Sequence, residues 1–320
     1  YNPGNAVEDQ VREFLSAVRE KGDDALVEYT RQFDCESFEL PIRLSAEDIA
    51  RGAASVSPES REYISLAAEN IRRFHENQLE KSWFETRPDG SILGQKVVPV
   101  DSVGLYVPGG KGGSTPLVSS LLMNAIPALV AGVRRVVICT PPRQDGTVDP
   151  HILAAAHLLD IDEVCRVGGA WAIGALAYGT ACIAPVDVIA GPGNIYVATA
   201  KRLVQGTVGI DMVAGPSEVL IIADSSARPN WLAADMLSQA EHDPLASAIC
   251  VTDDARLAEY LVEELERQCA ALPKAAIAGK SLEDWGAVVV VPNLGTAVAV
   301  ANRVAPEHLE LCVRDPWGVL

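Results

Sequence analysis

The stretch Arg135-Val-Val-Ile-Cys-Thr140 is followed by an Ala- and Leu-rich segment at 150–159 and then by Glu163-Val-Cys-Arg-Val167. Short apolar runs rich in Val and Ile that alternate with helix-length segments are typical of parallel strands covered by helices on both faces. This stretch therefore predicts an α/β fold with a doubly wound sheet.

The same alternation continues from Val107 to the end of the chain. Further strands are expected at 186–190, 218–223, 248–252, 287–291 and 310–313. Further helices are expected at about 115–131, 171–180, 194–205, 229–241, 254–271 and 295–304. We therefore expect two incomplete Rossmann-like domains, each with a parallel-rich sheet.

The first hundred residues have a different pattern and are predicted to be mainly helical. An amphipathic helix is expected over 7–33 with a break near Gly22, and a second helix over 58–80. Short β-type runs follow at 91–107. We expect residues 1–105 and 219–320 to form one discontinuous domain, with 106–218 inserted as a second, α/β domain.

Composition narrows the class of function. The chain has 320 residues, a formal net charge of −17 and 48% hydrophobic residues. Such an acidic chain is not expected to bind nucleic acid, which requires a basic face. The longest apolar runs have the length of a strand, so no membrane partner is expected. Seven cysteines without CxxC pairing indicate reduced thiols in a cytoplasmic protein, most of them in the core.

Four glycine-rich turns are expected at the carboxyl ends of strands, where open α/β sheets bind ligands. They lie at 107–115, 167–170, 190–194 and 214–218. Glycine allows backbone N–H groups to approach an anion at the start of a helix. Each turn alone could be a simple tight turn, but four together favour a cleft for a nucleotide or another polar ligand.

Two clusters of polar residues suggest metal-assisted chemistry. Gln239 and His242 are three residues apart in a predicted helix, a spacing that suits two ligands of zinc or a similar ion. Glu307 and His308 are adjacent, and such a pair can accept a proton and activate water near neutral pH. Taken separately, the first cluster could be an ordinary helix end and the second an ordinary surface pair.

Read together, the motifs closely resemble the histidinol dehydrogenase family over nearly the whole chain. The most specific pieces occur in the family's order: Arg31-Gln-Phe-Asp34, Val103-Gly-Leu-Tyr106-Val-Pro-Gly-Gly110, Gly191-Pro-Gly-Asn194, Ile210-Asp-Met-Val-Ala-Gly-Pro-Ser217-Glu218, Ser238-Gln-Ala-Glu-His242 and Pro306-Glu-His-Leu309. The resemblance implies a homodimeric zinc enzyme that oxidises L-histidinol to L-histidine in two NAD-dependent steps through a bound aldehyde.

Roles for individual residues follow from the same resemblance. Gln239 and His242 match zinc ligands that also contact substrate, and Ser217 and His308 match further substrate contacts. His308 is expected to take protons and Glu307 to activate the water that hydrates the aldehyde. Tyr106, Asn194 and position 171 match contacts to NAD, and NAD is expected to lie across the glycine turns at 106–113 and 191–194.

Two departures from the family pattern stand out. Trp171 occupies a position where the family usually has Gln, and we expect the indole at the rim of the cofactor site. The chain begins with Tyr1 and the family continues past Leu320, where it has two further zinc ligands, an Asp and a His supplied by the partner subunit. Residues 1–320 are therefore expected not to hold a complete zinc site, and catalysis by this stretch alone is in doubt.

Two alternatives stay open at this point. The chain could be an inactive or truncated member of the family that binds ligand without catalysis. It could also be a related dehydrogenase that acts on another small alcohol, such as a sulfonated diol.

Overall fold

A computed structural model describes residues 5–109, 116–213, 215 and 217–320. The chain divides into two compact units, residues 1–214 and 215–320. The helices of the first unit are α1 (Asn5–Lys21), α2 (Asp23–Phe33), α3 (Ala46–Ser55), α4 (Pro58–Glu76), α5 (Val118–Ala131), α6 (Pro150–Leu158), α7 (Gly169–Tyr178) and α8 (Ile195–Val204). Its strands are β1 (Trp83–Thr86), β2 (Ile92–Gln95), β3 (Ser102–Tyr106), β4 (Arg135–Thr140), β5 (Glu163–Arg166), β6 (Val188–Ala190) and β7 (Gly209–Ile210).

The second unit has the same kind of alternation. Its strands are β8 (Glu218–Ala223), β9 (Ser247–Thr252), β10 (Gly286–Val290) and β11 (His308–Cys312). Its helices are α9 (Pro229–Ala240), α10 (Ala255–Cys269), α11 (Ala275–Trp285), α12 (Leu294–Val304) and α13 (Pro316–Val319). Within the described ranges, no helix combines the length and the apolar character needed to cross a membrane.

The sheet of the first unit has five parallel strands in the order β5-β4-β3-β6-β7. The chain moves from β3 outward through β4 to β5 and then returns to the other side of β3 with β6. The strand order therefore reverses between β3 and β6, and ligands of open α/β sheets bind at the carboxyl side of such a reversal.

Helices cover both faces of this sheet, as the Val- and Ile-rich strands require. Helices α1, α2, α7 and α8 form one apolar layer, and α3, α4, α5 and α6 form the other. Successive residues of β4 serve the two layers in turn, since Val137 packs in the first layer and Ile138 in the second. The doubly wound arrangement expected from sequence is confirmed here.

The sheet of the second unit has four parallel strands in the order β10-β9-β8-β11. Helices α9, α10 and α11 cover one face, and α12 covers the other. The mixed α/β class with two parallel sheets is thus confirmed, with most boundaries within two or three residues of those expected.

The grouping of the amino-terminal helices differs from the expected one. Helix α1 packs on α7 and α8, α3 packs on α6, and α4 packs on α5, so these helices belong to the compact unit built on the first sheet. We had expected residues 1–105 to be grouped with 219–320. The physical reason is that the apolar faces of these helices complete the two layers over the first sheet, which sequence periodicity alone cannot assign.

Strands β1 and β2 form an antiparallel hairpin outside either large sheet. Every residue of both strands is exposed. The large apolar side chains exposed on the hairpin include Trp83, Phe84, Ile92 and Leu93. Since an isolated two-stranded hairpin is marginally stable in water, this segment has an apolar surface that its own unit leaves uncovered.

Candidate functional site

A cavity of about 560 Å³ lies at the reversal point of the first sheet. Three segments that follow strands contribute to its wall: the end of β3 with Tyr106, the start of α7 with Trp171, and the turn before α8 with Asn194. The three residues expected to contact NAD therefore line one cavity. Gln10, Phe14, Phe33, Asp34, Pro108, Gly109, Pro141, Gly169, Ala170 and Tyr196 complete the lining.

Tyr106 is held in place by its burial and by one hydrogen bond. Its side chain is almost fully buried, and its hydroxyl oxygen accepts a hydrogen bond from the backbone N–H of Gly169 at 3.2 Å. Burial, with a smaller contribution from the nearby Asp34, raises the pKa of Tyr106 well above its usual range. The phenol therefore stays neutral and keeps its proton as a hydrogen-bond donor.

Trp171 forms part of the cavity wall and is only 5% exposed. Its ring stacks on Phe33, with ring centroids 5.3 Å apart, and meets Phe14 edge-on at 5.6 Å. The expected position at the rim is thus incorrect, because three aromatic residues of α1 and α2 draw the indole into the core. Its Nε1 is buried and has no hydrogen-bond partner among the described residues.

Asn194 is the N-cap of α8, where its side-chain oxygen accepts hydrogen bonds from the backbone N–H groups of Tyr196 and Val197. This leaves the amide NH₂ as the donor that can face a ligand. Gly191, three residues earlier, has a φ of +126°, and a β-carbon there would lie 2.1 Å from the carbonyl oxygen of Tyr106. Only glycine therefore lets this turn approach the end of β3.

A buried lysine holds the same turn in place. The Nζ of Lys201, in α8, donates a hydrogen bond to the carbonyl of Gly191 at 2.9 Å and forms an ion pair with Asp211. Asp211 in turn accepts a hydrogen bond from the N–H of Gly191 at 2.9 Å. Both backbone groups of Gly191 are thus fixed by one charge pair, which sequence reasoning missed because Lys201 resembles an ordinary surface residue of a helix.

Asp34, which lines the cavity, is a second residue that sequence reasoning left without a role. It follows α2 within the Arg31-Gln-Phe-Asp34 motif, where Arg31 donates a hydrogen bond to the carbonyl of Phe38. Burial raises the pKa of Asp34 to about 6. Its Oδ2 is buried and has no hydrogen-bond partner in the described part of the chain. The signal available from sequence was a carboxylate directly after an aromatic residue within a family motif.

Parts of two expected glycine turns lie outside the described residues. These parts are Gly110–Thr115 of the first turn, together with Ala214 and Pro216 of the fourth. The turns at 167–170 and 190–194 are described, and both follow strands of the first sheet. The fourth turn precedes β8, so it lies at the amino edge of the second sheet and not at the carboxyl edge expected for it.

The other expected site residues gather at that same amino edge. Ser217 directly precedes β8, and His308 begins the neighbouring β11, paired in register with Val219. Gln239 lies in the last turn of α9, which runs back from the carboxyl end of β8. Parallel strands start at one edge and the helix after a strand returns to it, so Ser217, Gln239 and His308 share one edge of the unit.

The acid–base pair at this edge is open to solvent. His308 Nε2 lies 4.0 Å from Glu307 Oε1, and the two side chains are 59% and 46% exposed. At this distance the carboxylate can stabilise a protonated imidazole, but the solvent screens the attraction. The two side chains are therefore close enough to act together in proton transfer, but few contacts fix their orientation.

His242 lies just beyond the end of α9. The helix ends at Ala240, Glu241 is its C-cap, and the N–H of His242 donates a hydrogen bond to the carbonyl of Gln239 at 3.2 Å. The expected helix had extended to Glu241. His242 therefore follows Gln239 through one tight turn at the helix terminus rather than along a regular helical face.

A cluster of two carboxyl groups and one thiol in the same unit was not foreseen. One side-chain atom each from Asp235, Glu310 and Cys312 lies within 4.8 Å of the others. Burial raises the pKa of Glu310, with a further contribution from Asp235, and His308 lowers it. Sequence held a signal for this group, because Asp235 is one helical turn before Gln239, and Glu310 shares a strand face with His308.

Comparison of the sequence and the structure with known proteins identifies the family of this chain. The family model for histidinol dehydrogenase matches residues 2–320. The chain belongs to the histidinol dehydrogenase family. Members of this family are NAD-dependent oxidoreductases that act on histidinol and catalyse the final steps of histidine biosynthesis.

Individual relatives agree with this assignment. The chain is 64% identical over 318 residues to histidinol dehydrogenase of Nitratidesulfovibrio vulgaris, which covers 99% of this chain and 73% of that protein. It is 60% identical to the enzyme of Oleidesulfovibrio alaskensis, over 100% of this chain and 74% of that protein. The crystal structure of histidinol dehydrogenase from Elizabethkingia anophelis matches with a TM-score of 0.92 and 37% identity, covering 99% of this chain and 72% of that one.

Proposed function

We propose that this protein oxidises L-histidinol to L-histidine with NAD, and that the cavity of the first unit is the cofactor site. The observation that carries the cofactor assignment is that Tyr106, Trp171 and Asn194, selected from sequence, line one cavity at the reversal point of the sheet. The cavity combines aromatic walls with a few polar groups, which suits a nucleotide. NAD supplies the acceptor for hydride when it is bound there.

The residues present fit this cofactor. The cavity wall includes two buried polar atoms that have no hydrogen-bond partner among the described residues, Nε1 of Trp171 and Oδ2 of Asp34. Helix α7 begins at this wall with Gly168 as its N-cap and has no side-chain hydrogen bond there. Backbone N–H groups at a helix start favour the negative charge of a pyrophosphate.

We assign the proton chemistry to Glu307 and His308. Loss of hydride from the alcohol carbon requires that the hydroxyl also lose its proton, and His308 accepts it to give the aldehyde. Glu307 then removes a proton from water as its oxygen adds to the aldehyde carbon. The resulting hydrate loses a second hydride and another proton to give the carboxylic acid, so the alcohol and one water consume two NAD.

Zinc is proposed at the end of α9, with Gln239 and His242 as ligands and Ser217 and His308 as further substrate contacts. An amide oxygen and an imidazole nitrogen are donors that zinc accepts. The C-terminus of a helix carries partial negative charge, which favours a cation. A zinc ion held there would supply Lewis acidity to the substrate oxygen, and the family resemblance implies further ligands besides these two.

A homodimer is proposed as the working assembly, with the second copy completing the site. The exposed hairpin of β1 and β2 supports this, because its apolar side chains need a covering surface. Light scattering on the purified protein should give the mass of two chains. Replacement of Phe84 by Glu should shift that mass toward one chain without altering the circular dichroism spectrum.

A cytoplasmic location is also proposed. Cys139 and Cys165 are free thiols that lie in register on neighbouring strands. Such a pair of thiols persists most easily in a reducing compartment.

Activity and metal content together test the proposed function. NADH formation should be seen with L-histidinol and not with a sulfonated diol, and the zinc content of the same protein should be measured alongside. NADH formed only from the other alcohol would support the related dehydrogenase. Tight NAD binding without turnover of any alcohol would support a member of the family that binds ligand and does not catalyse.

A further inference from the structure

The carboxyl group of Asp34 is a polar group of the first unit's cavity to which no catalytic or binding role has been assigned. It lies directly after Phe33, whose ring stacks on Trp171, so it stands beside the aromatic part of the wall. Its Oδ2 is buried yet accepts no hydrogen bond in the described residues. A buried carboxylate oxygen without a donor is unusual in a folded protein and calls for an explanation.

The surroundings of Asp34 leave space for its carboxyl group but disfavour its charged form. A β-carbon on Gly168 would lie 3.2 Å from Asp34 Oδ2 and 2.6 Å from Cβ of Pro141, so a larger residue at 168 would crowd both. Burial disfavours the charged form and raises the pKa of Asp34 to about 6. No lysine or arginine of the described residues forms an ion pair with Asp34 to offset this.

A ligand that donates hydrogen bonds would satisfy the group. The carboxylate has two oxygens and accepts only, so its best partner is a pair of adjacent hydroxyl groups. A dinucleotide carries such a pair on each of its riboses. In Rossmann enzymes an acidic residue binds the ribose of NAD in the same way, although there it follows a strand and not a helix.

We propose that Asp34 binds a ribose of NAD by accepting hydrogen bonds from its two hydroxyl groups, and so takes part in cofactor recognition. This inference rests on the proposed cofactor site. If the ribose is that of the adenosine half, a 2′-phosphate would place negative charge against the carboxylate, and Asp34 would select NAD over NADP. If it is the nicotinamide ribose, Asp34 would orient the reactive ring and leave NADP discrimination to other groups.

Calorimetric titration of the purified full chain tests the assignment. Asp34→Asn and wild type are titrated with NAD, NADP, adenosine monophosphate and nicotinamide mononucleotide. Glu36→Gln is the matched control, since it removes one negative charge two residues away at an exposed position. The melting temperature of each protein is also measured without ligand.

We expect the Kd of NAD to rise about tenfold or more in Asp34→Asn and to stay unchanged in Glu36→Gln. Either adenosine monophosphate or nicotinamide mononucleotide should also bind Asp34→Asn more weakly than wild type. The mononucleotide that does so contains the ribose that Asp34 contacts. A loss for adenosine monophosphate should be accompanied by weaker discrimination against NADP. The melting temperature of ligand-free Asp34→Asn should be equal to that of wild type or higher, because the variant removes a buried, unpartnered charge.

Three outcomes would overturn the inference. Equal NAD affinity in wild type and Asp34→Asn would show that the carboxylate does not touch the cofactor. Weaker binding accompanied by a lower melting temperature would assign Asp34 a structural role. Absence of NAD binding by wild type would overturn the proposed cofactor site itself, and the inference with it, which distinguishes that failure from the first.

Discussion

The carboxyl edge of the first sheet and the amino edge of the second are built in opposite ways. At the first edge, Tyr106 and Trp171 are about 95% buried and backbone or aromatic contacts fix them. At the second edge, His308 and Glu307 are about half exposed and 4.0 Å apart. The first set of groups is therefore held in place by its own unit, whereas the second has few contacts that determine its geometry.

The two edges also differ in the charge that the backbone presents. Helices α7 and α8 begin at the carboxyl edge of the first sheet, where their N–H groups favour an anion such as a pyrophosphate. Helix α9 ends at the amino edge of the second sheet, where carbonyl groups favour a cation. The comparison teaches that the two edges suit ligands of opposite charge, the proposed dinucleotide at the first and the proposed metal ion at the second.

His308→Asn is expected to have the largest effect, and this effect should be on catalysis and not on the binding of NAD. This variant should lower kcat by two to four orders of magnitude, because the alcohol loses its proton acceptor. Its Kd for NAD should be unchanged, since the proposed cofactor cavity lies in the other unit. His157→Asn in α6 is the control and should behave as wild type. Wild-type turnover by His308→Asn would remove the residue from the chemistry.

Trp171→Gln probes how the aromatic wall is built. This change restores the residue that the family usually has at this position, but the structure places the indole in a packed aromatic cluster. We now expect the free energy of unfolding of the first unit to fall by about 3 kcal/mol, with weaker NAD binding. Trp171→Phe should lower the free energy of unfolding by less than half of that amount. Urea unfolding curves measure both, and unchanged stability of the Gln variant would mean that the cluster contributes little.

Lys201→Met tests whether the glycine turn is positioned by its charge pair. The change should cost about 2 kcal/mol of stability, because it leaves Asp211 and the carbonyl of Gly191 without their partner. It should also raise KM for NAD several-fold with little change in kcat. Asp211→Asn removes the opposite charge of the pair and should raise KM less, since an amide oxygen can still accept from the N–H of Gly191. An unaltered KM in Lys201→Met would limit the pair to a structural role.

The sequence predicted most of the fold, and it selected three residues that the structure brings together in one cavity. Alternating apolar runs located the parallel strands, since a strand such as Val136-Val-Ile-Cys139 is buried on both faces and has to be apolar throughout. Family motifs named Tyr106 and Asn194 as contacts of NAD, and the structure shows that both line one cavity. Periodicity could not predict which sheet the first four helices cover, because the apolar face of a helix can pack on any other apolar surface.

What sequence could not supply was the environment of single polar groups. Lys201 resembles an ordinary surface residue and Asp34 is one residue of a longer motif, and the importance of both comes from their burial in the folded chain. Trp171 was misplaced for the same reason, since its contacts Phe14, Tyr29 and Phe33 are more than a hundred residues away. The burial and the contacts of these residues depend on long-range packing, which the local sequence pattern does not reveal.

The smallest expected effect is the pH dependence of stability that Asp34 contributes to the first unit. Burial raises the pKa of Asp34 from an ordinary value of 3.8 to about 6 in the folded protein. Between these two values the folded state binds more protons than the unfolded state, so wild type should lose stability as the pH rises through about 6. The Asn variant lacks this titration.

The difference in the free energy of unfolding between Asp34→Asn and wild type should therefore grow in favour of the variant by on the order of 1 kcal/mol from pH 5 to pH 8. Urea unfolding at the two pH values, without NAD, measures it. Saturating NAD should reduce the difference, because hydrogen bonds from a ribose stabilise the charged carboxylate. A constant difference across this pH range would mean that the carboxylate is better solvated than its position in the cavity wall indicates, and would remove the energetic reason for a ligand at Asp34.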